Sequence, residues 1–558
     1  MKKFSIALLI LVSSGISSGQ NWQIPEGSML TRWTENINIE NVLPEYPRPN
    51  LQRKEWLNLN GLWDYAITSK DDHEPAEFDG KILVPFPVES SLSGVQKSIT
   101  EKERLWYRRS FNIPGKWSGK RILLNFGAVD WETKVWLNNK LIGSHKGGYD
   151  SFSFDITEFI VPDKEQIITI SVWDPTEKGH QPRGKQTTDT HGFWYTAVTG
   201  IWQTVWIESV EKNLGYIKSI KTETDIDSKI ITILTEIAYQ SKSQYLNVRV
   251  KDGSRVVSKI EKAAIKEIKL LIPEPKLWSP QNPFLYDVEI DLMNQDEIVD
   301  SIKSYFGMRK VSKKKDENGI LRLALNNEIL FQFGLLDQGW WPDGLYRAPT
   351  DGALKYDIEV AKSLGFNVLR KHGKMEPERW YYWCDKLGML VWQDMTPGDI
   401  DGEYGTDRNE ESKKQFEVEY EQMIAQLYNH PSIVKWVIFN EGWGQYETER
   451  LVDWTKKLDP YRLVIGASGF MDKGVGDILD VHGYPGPTGA ALEKNRVTTL
   501  GEFGGLGFPV KGNLWDESKA WGYVSYKNRD ELVLAYEELM ENLKPYISEG
   551  ISAAIYTQ

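Results

Sequence analysis

The sequence has one cysteine, Cys384, in 558 residues, so neither an internal disulfide nor a cysteine-based metal site can form. It has no excess of positive charge either. A net charge of −12 and a pI near 5.4 leave no basic patch to displace counterions from a nucleic acid or to hold an anionic membrane, which excludes both as partners. No apolar run reaches the roughly 20 residues needed to span a bilayer. No glycine-rich phosphate loop follows any apolar run, which counts against a doubly wound nucleotide-binding sheet, the competing fold. Aromatic residues are plentiful, and 23 Trp and 25 Tyr against 19 Phe favour rings with a polar edge, of the kind that stack on sugars as readily as they fill β-rich cores.

The first 19 residues read as a secretory signal peptide: two lysines, an apolar run from Phe4 to Val12, then small residues around Ser17 and Gly19. Its removal leaves a periplasmic or secreted protein with no remaining membrane segment. The length is too great for one core and calls for about three domains.

Residues 22–210 carry short alternating runs broken by Gly, Pro, Asn and Asp, with a hairpin turn in "LNNKLIG", and read as a β-sandwich of jelly-roll type. Residues 211–311 continue with Val/Ile/Thr-rich strands at the spacing of a smaller immunoglobulin-like sandwich. After residue 312 strands alternate with helices. "ILFQFGLLD" precedes a helix in which Leu354, Ile358, Ala361 and Leu364 repeat at helical spacing before Gly365. Strands then recur at "FNVLRKH", "MLVWQDM", "IVKWVIFNE", "RLVIGASG", "ILDVHGYPG", "VTTLGEFGG" and "GISAAIYTQ". Eight strands with helices between most of them make a (β/α)8 barrel over 312–558. The eighth strand meets the last residue, Gln558, so the helix that should cover it is missing and the barrel reads as truncated.

"HPSIVKWVIFNEGWG" contains the main chemical signal. The run Ile433 to Phe439 is apolar enough for a buried strand, yet it ends in Asn440 and Glu441, and charge at such a tip is costly unless used. Glu502 ends the seventh strand among Gly501, Gly504 and Gly505. Two carboxylates on the C-terminal rim of a barrel suit glycoside hydrolysis. The structural alternative is that both pair with rim arginines.

These stretches, with "LWYRRSFNIP", "NFGAVDWETKVWLNNKLIGSHKGGYDSFSFDIT" and "VTGIWQTVWIE" in the first sandwich, resemble glycoside hydrolase family 2, the group of β-galactosidases, β-glucuronidases and β-mannosidases. The resemblance covers almost the whole mature chain. It implies a secreted, exo-acting, retaining hydrolase that removes terminal, β-galactoside-like sugars from oligo- or polysaccharides; no cofactor is expected, and the metal sites of some relatives are not carried over because no ligand set stands out in the sequence. Glu441 would be the acid/base, protonated to serve the departing oxygen, and Glu502 the ionised nucleophile; Asn440 would bond the sugar 2-hydroxyl. Arg370 and His372 in "NVLRKH", and His482 and Tyr484 in "VHGYPGP", match family positions beside the nucleophile, although Arg370 could serve only to neutralise Glu502 and Tyr484 could be a turn residue. Trp392, Asp394 and Trp443 are candidates for sugar contact or for simple packing. "GLLDQGWWPDG" departs from the family pattern, so Asp337, Gln338, Trp340 and Trp341 should shape the substrate site differently. A catalytically silent carbohydrate-binding protein and an inverting hydrolase are the alternatives. The sugar and the oligomeric state, a homo-oligomer included, stay open.

Overall fold

Alternation at period two builds the first domain, as in Glu132–Leu137, where buried and half-buried positions take turns. The computed structural model describes residues 22–241, 243–398 and 408–557, so the leader-like residues 1–19 and Gln558 lie outside the described residues. A four-stranded and a six-stranded antiparallel sheet face each other across a core that includes Trp63, Tyr107, Ile122 and Phe126. The hairpin turn at Asn138 and Asn139, both at positive φ, joins Glu132–Leu137 to Lys140–Lys146. The last strand of this sandwich is Val205–Val210, and Tyr216–Asp225 opens the second domain, a three-stranded sheet on a four-stranded one. Leu246, Val248, Ile290 and Ile302 belong to its core.

The barrel has eight parallel strands: β1 (Gln332–Asp337), β2 (Val368–Lys371), β3 (Leu390–Asp394), β4 (Ile433–Asn440), β5 (Leu463–Ser468), β6 (Ile478–Gly483), β7 (Val497–Gly504) and β8 (Ala553–Thr557). They follow one another in the sheet order β5-β4-β3-β2-β1-β8-β7-β6. Only the β5/β6 seam lacks a ladder, and a single antiparallel bridge, Ile465 to Gly476, crosses it. Helices α1 (Asp351–Ser363), α2 (Glu378–Leu387), α3 (Glu410–Leu427) and α4 (Thr448–Leu458) follow β1 to β4, and α5 (Arg529–Glu549) lies between β7 and β8. Among the described residues no helix joins β5 to β6 or β6 to β7.

β4 is buried along its whole length, which is what its unbroken apolar run requires of a strand covered on both faces. The N-terminal end of the barrel is closed by Trp278 from the second domain and by Leu323 and Leu325 of the hairpin before β1. The outer face of β8, expected to be bare for want of a following helix, is covered by α5. Ala554 packs with Leu539 and Leu543 of that helix and with Phe503 of β7, while Ala553 and Ile555 face the interior.

The three domains lock together. At the C-terminal face of the barrel the backbone N–H groups of Arg183 and Gly184 from the first domain donate to the Pro397 carbonyl just after β3, at 2.9 and 3.0 Å. That contact carries the segment 183–196 across the mouth of the barrel.

Candidate functional site

At the tip of β4 the chain turns sharply: Glu441 takes a φ of +52°, a left-handed conformation uncommon for a side-chain-bearing residue, and Gly442 follows at +80°. The turn aims Glu441 over the barrel axis. Across the axis, β7 brings Glu502 to the same rim, and the two carboxylates and the His482 ring present ligand atoms all within 4.8 Å of one another. His482 Nδ1 lies 2.8 Å from Glu441 Oε1 and 3.8 Å from Glu502 Oε1, so one proton is held between the imidazole and Glu441. This is the one such His/carboxylate trio among the described residues. All three groups already have partners in one another, and Glu502 has two more.

Those two are Arg370 and Tyr484. Arg370, fully buried, donates from Nη1 to Glu502 Oε1 at 3.1 Å, from Nε and Nη2 to the two oxygens of Asp394 at 3.1 and 2.9 Å, and from Nη2 to Asn440 Oδ1 at 2.8 Å. Tyr484 donates its hydroxyl to Glu502 Oε2 and stacks on Tyr523 with ring centroids 3.9 Å apart. Burial by itself would push the Glu502 carboxyl up, but the cationic surroundings, His482 and Arg370 foremost, bring it down to about 2. Glu502 is therefore a carboxylate at any working pH. Burial opposes charge on His482 as well, yet the neighbouring Glu502 and Glu441 raise its pKa above the ordinary histidine value.

Asn440 spends its carbonyl oxygen on Arg370, which leaves its Nδ2 to donate to a ligand. His372 Nδ1 bonds Asp394 Oδ2 at 2.7 Å, and its Nε2 is buried with no partner, a ready contact for a ligand hydroxyl. Burial drives its pKa well below the ordinary value, so the ring is neutral. Beneath this layer, Asp480 accepts from Ser468 and Thr499 and lies 3.8 Å from His482 Nε2.

Seven of the residues singled out in the sequence thus share one network: Asn440, Glu441, Glu502, Arg370, His372, Asp394 and His482. Tyr484 joins it through Glu502, and Trp443, two residues past Glu441, edges onto the His372 ring at 6.2 Å. Two depart from expectation. Trp392 is fully buried one layer below Asp394; its Nε1 donates to Gln332 and the Lys435 ammonium sits 3.4 Å from its ring centroid, so no face is left for a sugar. Asp337 points out of the barrel, because its register partner Lys371 faces outward while Arg370, beside Leu336, faces inward. It pairs with Lys371 at 2.8 Å. Trp340 and Trp341, three and four residues on, line a cavity beside the site, and Trp340 stacks on Tyr195 at 4.7 Å.

The first domain supplies groups that the sequence did not flag. The Lys185 ammonium lies 4.9 Å from the Phe193 ring centroid and 5.7 Å from that of Trp443, with no ion pair among the described residues, and its charge acts on both Glu502 and Glu441. Phe193 and Trp194 stack against Trp443 at 6.1 and 6.0 Å. No local motif marks these positions, since they meet the barrel only in three dimensions.

Comparisons with known proteins agree on the architecture. Residues 82–209 match the family described as "Glycosyl hydrolases family 2, sugar binding domain", residues 215–309 "Glycosyl hydrolases family 2", and residues 346–484 "Glycosyl hydrolases family 2, TIM barrel domain". A β-galactosidase of Thermoanaerobacter pseudethanolicus is 28% identical over 419 residues, 71% of this chain and 53% of that protein. A β-glucuronidase of Bacteroides fragilis is 25% identical over 417 residues, 70% of this chain and 56% of its own length. The chain thus spans about half the length of these curated relatives. The solved structure of a β-D-glucuronidase from Dictyoglomus thermophilum superposes with a TM-score of 0.70 at 20% identity, over 92% of this chain and 91% of that one, which speaks for the fold. Matched in all three domains and over more than half its length, the chain belongs to glycosyl hydrolases family 2.

Proposed function

We propose that the protein is an exo-acting glycosidase that cleaves terminal β-linked sugars with retention of configuration, Glu502 attacking the anomeric carbon and Glu441 protonating the departing oxygen. The observation that carries this reading is the pairing of Glu441 and Glu502 on one rim, with carboxylate oxygens within 4.8 Å. Retention calls for carboxyl groups about 5 to 5.5 Å apart, whereas inversion needs about 6.5 to 9.5 Å to admit a water between them.

The surroundings suit the division of labour. Arg370 and Tyr484 keep Glu502 ionised and fix its orientation, so it is ready as a nucleophile. Glu441, held in place by His482 at 2.8 Å, gives its proton to the departing oxygen when the first bond breaks and takes one from the water that resolves the glycosyl-enzyme. Asn440 Nδ2 and His372 Nε2 face outward from the network as hydroxyl partners. The names of the relatives point to β-galactosides and β-glucuronides as the first sugars to try.

The test is turnover of nitrophenyl β-glycosides, with the first-formed anomer followed by proton NMR. The β-anomer appearing first establishes retention, and the α-anomer appearing first would overturn it. Glu502→Ala is expected to lower kcat by at least about a thousandfold with the fold unchanged by circular dichroism.

A further inference from the structure

A group of aromatic side chains not used by the chemistry lies just outside the site. The segment 190–196 of the first domain and the segment 513–521 after β7 enclose a cavity of about 430 Å³, walled by Trp194, Trp340, Trp341, Trp515 and Trp521. Trp515 and Trp521 are 51% and 41% exposed, a high share for the largest apolar side chain. The two segments are clipped together by Lys519, whose ammonium pairs with Asp189 Oδ1 at 2.8 Å and donates to the Thr190 carbonyl at 2.9 Å. Trp340 is braced by a stacked Tyr195 at 4.7 Å. The cavity is therefore formed before any ligand arrives, and His191, Asn513 and Asp516 line it with polar groups.

It also adjoins the site. Trp194 lines the cavity and stacks on Trp443, two residues past the acid Glu441; Trp521 lines it too and packs against Phe193 at 5.8 Å and against Tyr523, the ring beneath Tyr484. The leaving group departs on the side of the acid. A chain of sugars leaving past Glu441 and Trp443 meets Trp194 and Trp521 next, then the cavity.

We propose that this cavity is a carbohydrate-binding subsite that holds the aglycone side of an oligosaccharide whose terminal sugar sits between Glu441 and Glu502, so that the substrates are short glycan chains rather than simple disaccharides. The proposal rests on the glycosidase reading above. Apolar sugar faces lie on the indoles, and sugar hydroxyls meet the polar rim.

Full-length protein carrying Glu502→Ala, which holds substrate without cleaving it, is titrated with cellotetraose, xylotetraose, β-1,4-galactotetraose and laminaritetraose by calorimetry. At least one tetraose is expected to bind, Trp515→Ala to weaken it about tenfold, and Trp515→Phe to recover most of the loss. In the active protein the same Trp515→Ala change lowers the ratio of kcat/KM for that tetraose to kcat/KM for a nitrophenyl glycoside by a similar factor. No tetraose binding, or binding indifferent to Trp515, overturns the subsite even if nitrophenyl glycosides are cleaved. Trp515-dependent binding without cleavage of any glycoside upholds the subsite and removes the hydrolytic reading instead. Sedimentation of the same samples covers one other occupant: a dimer abolished by Trp515→Ala, with tetraose binding unchanged, makes the cavity an interface between copies and ends the proposal.

Discussion

Glu502 receives a guanidinium on one oxygen and a phenol on the other, and each has its own measurable effect. The phenol is the cleaner probe, since Tyr484→Phe removes one hydroxyl and leaves the stacked ring in place. A hydrogen bond to a charged group contributes about 1.5–3 kcal/mol, and about 1.4 kcal/mol corresponds to one pH unit. The acid limb of kcat/KM should therefore move up by about one unit in Tyr484→Phe, because the carboxylate loses a partner that favours its charged form; a limb that stays put would remove Tyr484 from the nucleophile's support. The sign for stability runs the same way. A carboxyl lowered from 4.5 to about 2 stabilises the fold above pH 4.5, and that contribution is lost as the pH falls through about 2.

Strands set these side chains by parity. Two steps along β3 separate Trp392 from Asp394 on the same inward face, about 6.6 Å in depth, which puts the indole under the rim and the carboxylate on it. Close approach matters as much between β6 and β7: a Cβ on Gly501 would stand 1.9 Å from Asp480 Oδ2. Gly501→Ala is expected to cost about 1–3 kcal/mol in urea unfolding and to depress kcat by shifting Glu502, whereas Gly115→Ala, with nothing near its Cβ, should do neither. The eight strands were legible in the sequence because each is an apolar run bounded by turn residues, and the β4 tip was legible because Asn440 and Glu441 break such a run. The inward or outward turn of Asp337 was not, since it depends on register with β2. Nor was the role of Lys185, Phe193 and Trp194, which lie about 250 residues before Trp443 and Glu441 in the chain.

The molecule is held as one piece by a buried knot. Asp385 on α2 bonds His430 Nδ1 at 2.6 Å, the Tyr305 hydroxyl of the second domain at 2.8 Å and the Ser432 N–H at 2.9 Å, and His430 in turn contacts Asn50 from the segment that leads into the first sandwich. Asp385→Ala strands several polar groups in the interior at once. A loss of about 3–5 kcal/mol is expected, read by calorimetry as melting of the sandwiches at a lower temperature than in the parent protein; an unshifted melting profile would show the knot to be dispensable.

The wall that Lys185, Phe193 and Trp194 build over the barrel has an evolutionary consequence. Part of the site's lining is written in a different domain from the strands that carry Glu441 and Glu502, so a change in either domain alters the same pocket. Substitutions in the one segment that bears Lys185, Phe193 and Trp194 would reshape the mouth of the barrel while the strands that hold the two glutamates stay as they are.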